Sequence, residues 1–424
     1  MSEEFLHYIW KFRLFDQLVL QTTAGEPVEI VKVGEHNFDS GPDFFNAKIK
    51  VGKTLWAGNV EVHINSSDWK KHFHQKDKAY DNIVLHVVHK ADEQVFRESG
   101  EAFPTIEIKN RIDNKIYQNY LNFKSSSDWI PCEKQINKVP DLIINNTLDR
   151  LLLERLERKS TSITESLKLN KNNWEETFYQ HFARNFGFKI NAEPFELLAK
   201  SLPSIVLSKH KNSLLQIEGL LFGQAGLLDQ HYEDKYMQQL QNEYVFLKQK
   251  FKLQSIDSHL WKYLRLRPVN FPTIRIAQFA NLIFNSSYLF SKIIETENYE
   301  KLKKMMNVDV SEYWRTHYVI DKISTLKTKQ LGDEAMNNII INTIVPFLFV
   351  YGKHKGEEKY IERALQFLEQ IKGERNSIIK KWEGLNLPVK NSYSTQALLQ
   401  LKNEYCSKKK CLSCSIGNYL LKNL

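Results

Sequence analysis

The spacing of apolar residues changes period once along this chain, and that single change limits the kinds of domain it can build. In the first part, short runs alternate apolar and polar residues as half-buried strands do, at 28–33, 44–51, 55–64 and 105–109. The run 82–90 is apolar and β-branched enough to be a central strand. Gly52-Lys53 is a turn signal between the second and third runs. An amphipathic segment over 3–18 predicts a first helix, and Ser66-Ser67-Asp68 predicts the cap of a short helix carrying Trp69, His72 and Phe73. From about Asn145 the period becomes helical, beginning with Leu148, Leu151, Leu152 and Leu156. Further helices are expected at 174–185, 193–202, 212–228, 234–252, 272–284, 310–328, 335–351, 357–371 and 393–405. The order predicts an α/β N-terminal domain over 1–140 and a large all-α domain over 141–424.

Composition narrows the class. Hydrophobic residues make up 42% and charged residues 26% of 424, the balance of an ordinary globular chain. Only 16 Gly and 11 Pro are present, which excludes long low-complexity segments. The net charge of +9 suits a polyanionic partner such as nucleic acid. The acidic start Met1-Ser2-Glu3-Glu4 carries no signal-peptide pattern. The longest apolar run, 339–351, contains Pro346 and reads as a buried helix, so a cytoplasmic protein without a membrane segment is expected.

The chemistry-bearing stretch is Ser40-Gly41-Pro42-Asp43-Phe44 followed by Gly58-Asn59-Val60-Glu61-Val62-His63-Ile64. Strand alternation places Glu61 and His63 on one face and Val60, Val62 and Ile64 on the other. A hairpin brings Asp43 near Glu61. Two carboxylates, the Val62 carbonyl and waters would satisfy a hard divalent cation such as Mg²⁺. A simpler reading is a Pro-Asp turn and a strand glutamate facing solvent, but a carboxylate and an imidazole sharing one face favour a site. Five of the 13 histidines (His63, His72, His74, His86 and His89) lie close together in sequence. His86 and His89 point to opposite faces of their strand, and His63 and His86 suit neighbouring strands. These histidines can serve as ligands or bases, or can simply satisfy backbone groups.

Pro42-Asp43 and Glu61-Val62-His63, within an αβββαβ order, resemble the restriction-endonuclease-like (PD-(D/E)XK) nuclease superfamily. The resemblance implies that Asp43 and Glu61 bind Mg²⁺ or Mn²⁺. It also implies that His63 stands where that family has a lysine beside the attacking water. Glu4, or equally Glu3, would be the acidic residue of the first helix, and Asp39 is a second contender for the hairpin aspartate. The implied activity is metal-dependent phosphodiester hydrolysis of DNA or RNA. Alternatives are an inactive nuclease-like nucleic-acid-binding protein, or a structural or protein-interaction protein. The whole chain also resembles an uncharacterised bacterial domain-of-unknown-function family. That likeness rests on His36-Asn37 and the two stretches above together with Ser67-Asp68-Trp69, Leu85-His86-Val87-Val88, Phe222-Gly223-Gln224-Ala225-Gly226, Arg267-Pro268-Val269-Asn270-Phe271-Pro272 and the terminal cysteines.

Cys406, Cys411 and Cys414 have the spacing of a metal knuckle, and Cys132 is the available fourth ligand. Zinc and an iron–sulfur cluster both suit the set; the plain alternative is incidental cysteines in a basic tail, Lys408-Lys409-Lys410. Gly223-Gln224-Ala225-Gly226 lacks the Gly-Lys-Ser/Thr ending of a phosphate loop and reads as packing or a helix end. The segment from Arg265 to Arg275, with Asn270 between Pro268 and Pro272, is either a phosphate-contacting loop or a set of helix-end caps. Trp174, Trp261, Trp314 and Trp382 read as core.

Overall fold

Alternation in the first part and helical spacing in the second emerge as separate units in a computed structural model, which describes residues 1–97, 100–286 and 288–424. One compact unit comprises 1–147 together with 401–424, and the other 148–400. The division thus falls within the helix Asp141–Leu169 rather than at 140. The tail leaves the helical unit to which its sequence position assigned it. Its helix Ser415–Asn423 packs on the helix Asn114–Ser125. Lys402 Nζ donates to the Trp129 carbonyl at 2.5 Å, and Lys409 Nζ to that of Lys124 at 2.7 Å.

The N-terminal unit begins with α1 (Glu3–Lys11), capped by Ser2, whose hydroxyl accepts from the Phe5 N–H. Helix α1 buries Phe5, Leu6, Tyr8, Ile9 and Trp10 and stops at Phe12, short of the expected residue 18. Arg13 turns left-handed there (φ 51°), breaking the helical path. The strands are β1 (Val28–Lys32), β2 (Glu35–His36), β3 (Phe44–Val51), β4 (Thr54–Asn65), β5 (Ile83–Lys90) and β6 (Thr105–Glu107). Their order is β1-β3-β4-β5-β6, with β2 on the edge of β3. β1, β3 and β4 run antiparallel, and Val51 faces Thr54 across the Gly52-Lys53 turn. β5 is parallel to both β4 and β6.

A parallel pair needs a crossover, and the one between β4 and β5 carries α2 (Asp68–Lys71) and two short 3-10 turns, His74–Lys76 and Lys78–Tyr80. Trp69 anchors this crossover in a cluster with Tyr80, Ile83, Val95 and Phe103. Where β4 meets β5, Gly58 permits a close approach: a Cβ there would lie 2.5 Å from Val84 Cγ1 and 2.6 Å from the Asn82 carbonyl.

The helical unit contains Trp174–Phe186, Ala192–Ser201, Leu214–Gln224, Lys235–Phe251, Pro272–Asn285, Glu358–Gln370 and Ser392–Gln400 at or near their expected positions. Phe178, Phe182, Phe186, Phe195 and Phe279 form a continuous aromatic core. Trp261, Trp314 and Trp382 are buried, and Trp174 stacks on Phe290. The helix expected over 310–328 is a correction. Only Glu312–Thr316 is helical, and His317–Val319 then pairs with Lys322–Ile323 as a hairpin turning at left-handed Asp321 (φ 57°). Asp333–Lys355 is long and apolar enough to cross a membrane, but 72% of its apolar window is buried within the protein, as for a core helix. A π-bulge at Ile340–Ile344 precedes Pro346, whose ring and missing N–H disturb the regular ladder. Gly223 sits against the Tyr244 ring and Gly226 is left-handed (φ 70°) beyond a helix end, so this pair serves packing and termination.

Candidate metal centre

Glu61 and His63 share the face of β4 that meets β5 at His86, because Glu61 is in register with His86. All three are buried, at 4%, 2% and 0% exposure, so this is a polar pocket inside the unit rather than a solvent-facing strand edge. Asp43 stands immediately before β3 and locks to β4 by a reciprocal pair of bonds. Its N–H donates to Glu61 Oε2 at 3.2 Å, and its Oδ2 accepts from the Val62 N–H at 2.9 Å. The Asp43 carboxylate also lies 3.2 Å from His7 Nε2 on α1.

The crossover then closes over Glu61. Nε2 of His63 lies 3.2 Å from His72 Nδ1 and 3.6 Å from Glu61 Oε1. Nε2 of His74 lies 3.3 Å from the same oxygen, and the His74 ring is held by stacking on Tyr80 at 3.9 Å. Behind His63, its Nδ1 lies 2.9 Å from His86 Nε2. His63, His72 and His74 thus bring three donor atoms within 4.8 Å of one another. Around a tetrahedral ion with metal–nitrogen bonds of about 2.0–2.1 Å, neighbouring ligand atoms sit about 3.3 Å apart. The spacings of His63 from His72 (3.2 Å), His74 from Glu61 (3.3 Å) and His63 from Glu61 (3.6 Å) approximate that value.

Burial dominates the electrostatics. It holds the imidazole of His63 down at about 2, with His86, His74, His72 and His7 adding to the effect, so His63 is neutral. Burial likewise lowers His86 to about 3. Burial raises the Glu61 carboxyl, reinforced by the Asp43 charge and opposed by His74. For His7, burial pushes downward, but the hydrogen bond and charge of Asp43, with Glu3 and Glu61 behind it, outweigh burial and leave it raised. His86 Nδ1 is buried without a hydrogen-bond partner among the described residues. Imidazole nitrogens beside a carboxylate are the donor set a divalent transition metal takes.

A profile described as a protein of unknown function (DUF2851) matches residues 3–377. The chain belongs to the DUF2851 family. No curated protein and no solved structure matches it.

Asp43, Glu61 and His63 converge, and His72, His74 and His86 join them. Asp39 does not: it sits in an exposed turn, where its N–H donates to Asn37 Oδ1. From α1, the residue brought to Asp43 is His7 rather than Glu4, whose charge acts on Cys411. The signal for His7 was a polar residue within the otherwise apolar buried face of α1. His36, stacked on Phe44 at 4.8 Å, completes that side and is lowered to about 4 by burial, then by His7 and Lys11. Cys132, Cys406, Cys411 and Cys414 form no disulfide and lie within one unit. Burial, then mutual repulsion, raises Cys132 and Cys406, and raises Cys411 to about 12.

Proposed function

We propose that this protein is a metal-dependent phosphodiesterase acting on nucleic acid, centred on Asp43, Glu61 and His63 in a restriction-endonuclease-like core. The observation that carries this reading is the convergence of Glu61 with His63, His72 and His74 beside Asp43 and His7. The order α1, antiparallel β1-β3-β4, helical crossover and parallel β5 supports the αβββαβ core. The net charge of +9 supports a polyanionic partner.

The imidazoles favour Mn²⁺ or Zn²⁺ over Mg²⁺, which prefers oxygen. A bound ion of this kind supplies a metal-activated water and neutralises phosphate charge. For His63 to offer Nε2, its proton must sit on Nδ1 and be donated to His86 Nε2, so His86 fixes the tautomer. Glu61 completes the donor set, and Asp43 holds Glu61 and β4 in place. His7, half-buried and made more basic by the hydrogen bond and charge of Asp43 against the effect of burial, is placed to give a proton to a leaving oxygen.

The test is cleavage of single- and double-stranded DNA and RNA with Mn²⁺, Zn²⁺ or Mg²⁺, compared with Glu61→Ala. Removal of this ligand should cost on the order of 10²-fold or more in rate; equal rates would sink the proposal. A neutral, buried His63 cannot supply the positive charge of the lysine found in the restriction-endonuclease-like superfamily. That favours, as the second reading, a nucleic-acid-binding protein without hydrolysis, identified by salt-dependent binding without cleavage under any ion. The four cysteines, mutually coupled in one unit, would hold zinc or an iron–sulfur cluster that braces it. Zinc and iron content per chain, lost in Cys132→Ser, measures this directly.

A further inference from the structure

The helical unit contains a cavity of about 610 Å³ whose walls carry four cations (Lys189, Arg267, Arg275 and Lys329) and, among the described residues, the single carboxylate of Glu334. Two of the cations are buried. Arg275 is 7% exposed and Lys329 2% exposed. Buried charges are normally paired, yet among the described residues neither makes an ion pair. The Arg275 guanidinium lies on the Phe188 ring at 4.5 Å and donates only to neutral amides, Gln278 Oε1 at 3.0 Å and Asn270 Oδ1 at 2.6 Å. Its Nε is buried and unpartnered. Lys329 Nζ donates to the carbonyls of Trp314 and His317 and sits 3.6 Å from the Tyr318 ring centre. Asp309 acts on Lys329 but is itself paired with Arg315 at 3.0 Å. Gln278 links the two cations, since its Nε2 donates to the Lys329 carbonyl at 2.7 Å.

Two desolvated cations fixed by neutral partners leave a positive potential in the cavity that the protein does not cancel. Burial lowers Arg275 to about 10 and Lys329 to about 8, and both still carry charge at neutral pH. Arg267, just before the 3-10 turn Pro268–Asn270, and Lys189 stand exposed at the rim, and their side chains make no hydrogen bond or ion pair among the described residues. The volume exceeds what a bare phosphate needs and falls in the range of small-ligand pockets.

We propose that this cavity binds a nucleoside phosphate, with its phosphate held by the cations of Arg275, Lys329, Arg267 and Lys189. The site is independent of the metal centre and stands whether or not that centre cleaves phosphodiesters. The phosphate belongs either to a free mononucleotide or to one unit of a strand, and the experiment separates these sources. Thermal unfolding and fluorescence titration of the full chain are followed with adenosine and thymidine 5′-monophosphates, the two nucleosides and a ten-residue oligothymidylate. The comparison proteins are the rim variant Lys189→Ala/Arg267→Ala, the buried variant Lys329→Met, and Glu61→Gln, which alters the metal centre and leaves the lining of this cavity unchanged.

Monophosphates should raise the unfolding midpoint by roughly 2–5 °C while nucleosides do not. The rim variant should lose roughly tenfold in affinity, and Glu61→Gln should bind as the wild type does. Binding of the oligonucleotide alone, weakened by the same rim variant, supports the site with a strand as its source. Equal effects of nucleoside and nucleotide, undiminished binding in a folded rim variant, or loss of binding only in Glu61→Gln would each overturn it. Because the rim residues are exposed, their variant folds even if Lys329→Met does not.

Discussion

At the scale of single residues, His63 owes its character to its position. Buried between His72 and His86, it remains a neutral donor at physiological pH rather than a stand-in for a lysine charge. If His86 sets its tautomer, His86→Ala should lower affinity for Co²⁺ or Zn²⁺ by roughly 10–100-fold without removing a ligand. The Co²⁺ visible spectrum reads this out, and an unchanged affinity would remove the relay. In the helical unit, Glu218 is fully buried against the Tyr236 hydroxyl, and burial pushes its carboxyl up to about 7. Since the folded state holds this proton more tightly than the unfolded state, the contribution is fully present below about pH 4.5 and is lost as pH rises through 7. The loss amounts to roughly 3 kcal/mol. Glu218→Gln should therefore stabilise the protein at pH 8 and flatten the pH dependence of denaturant unfolding between 5 and 8. A wild-type slope in the variant would refute the assignment. Strand period alone placed Glu61 and His63 together. A polar residue among the buried ones of α1 marks His7, but its contact with Asp43 depends on how α1 lies against the sheet.

At the scale of elements, the β4–β5 pair carries the site, and Gly58 lies tightly against the start of β5. Gly58→Ala places a methyl group against Asn82 backbone that cannot yield cheaply. A loss of about 2–3 kcal/mol is expected, measured as a lower denaturant midpoint, together with weaker metal binding; a variant as stable as wild type would show that β5 shifts freely. The sheet strands were legible because their apolar residues alternate against a buried face. Residues 310–328 misled for a physical reason. Their apolar spacing fits a helix, but Asp321 takes a left-handed turn and Thr316 accepts from the Ser324 N–H and hydroxyl, so tertiary pairing outweighs local preference. Helix α1 was over-extended for the opposite reason, since apolar residues continue past Lys11 after the backbone has turned.

At the scale of the whole chain, residues 401–424 belong with 1–147, and they bury Leu401, Leu412, Ile416, Leu420 and Leu421. At about 1.5–3 kcal/mol for each fully buried side chain, a chain ending at Gln400 should lose several kcal/mol from its N-terminal unit. Hydrogen exchange across β3, β4 and β5 would report this, and unchanged protection would mean that the tail is dispensable. The sequence by itself determined the change from strand period to helix period, the hairpin at Gly52-Lys53 and the shared face of Glu61 and His63. Each of these depends only on residues near one another in the chain. Tertiary structure alone decided that the crossover folds His72 and His74 over Glu61, that α1 delivers His7, and that the cysteine tail returns to the first unit. Those outcomes depend on burying apolar surface between elements far apart in sequence, which no local spacing encodes.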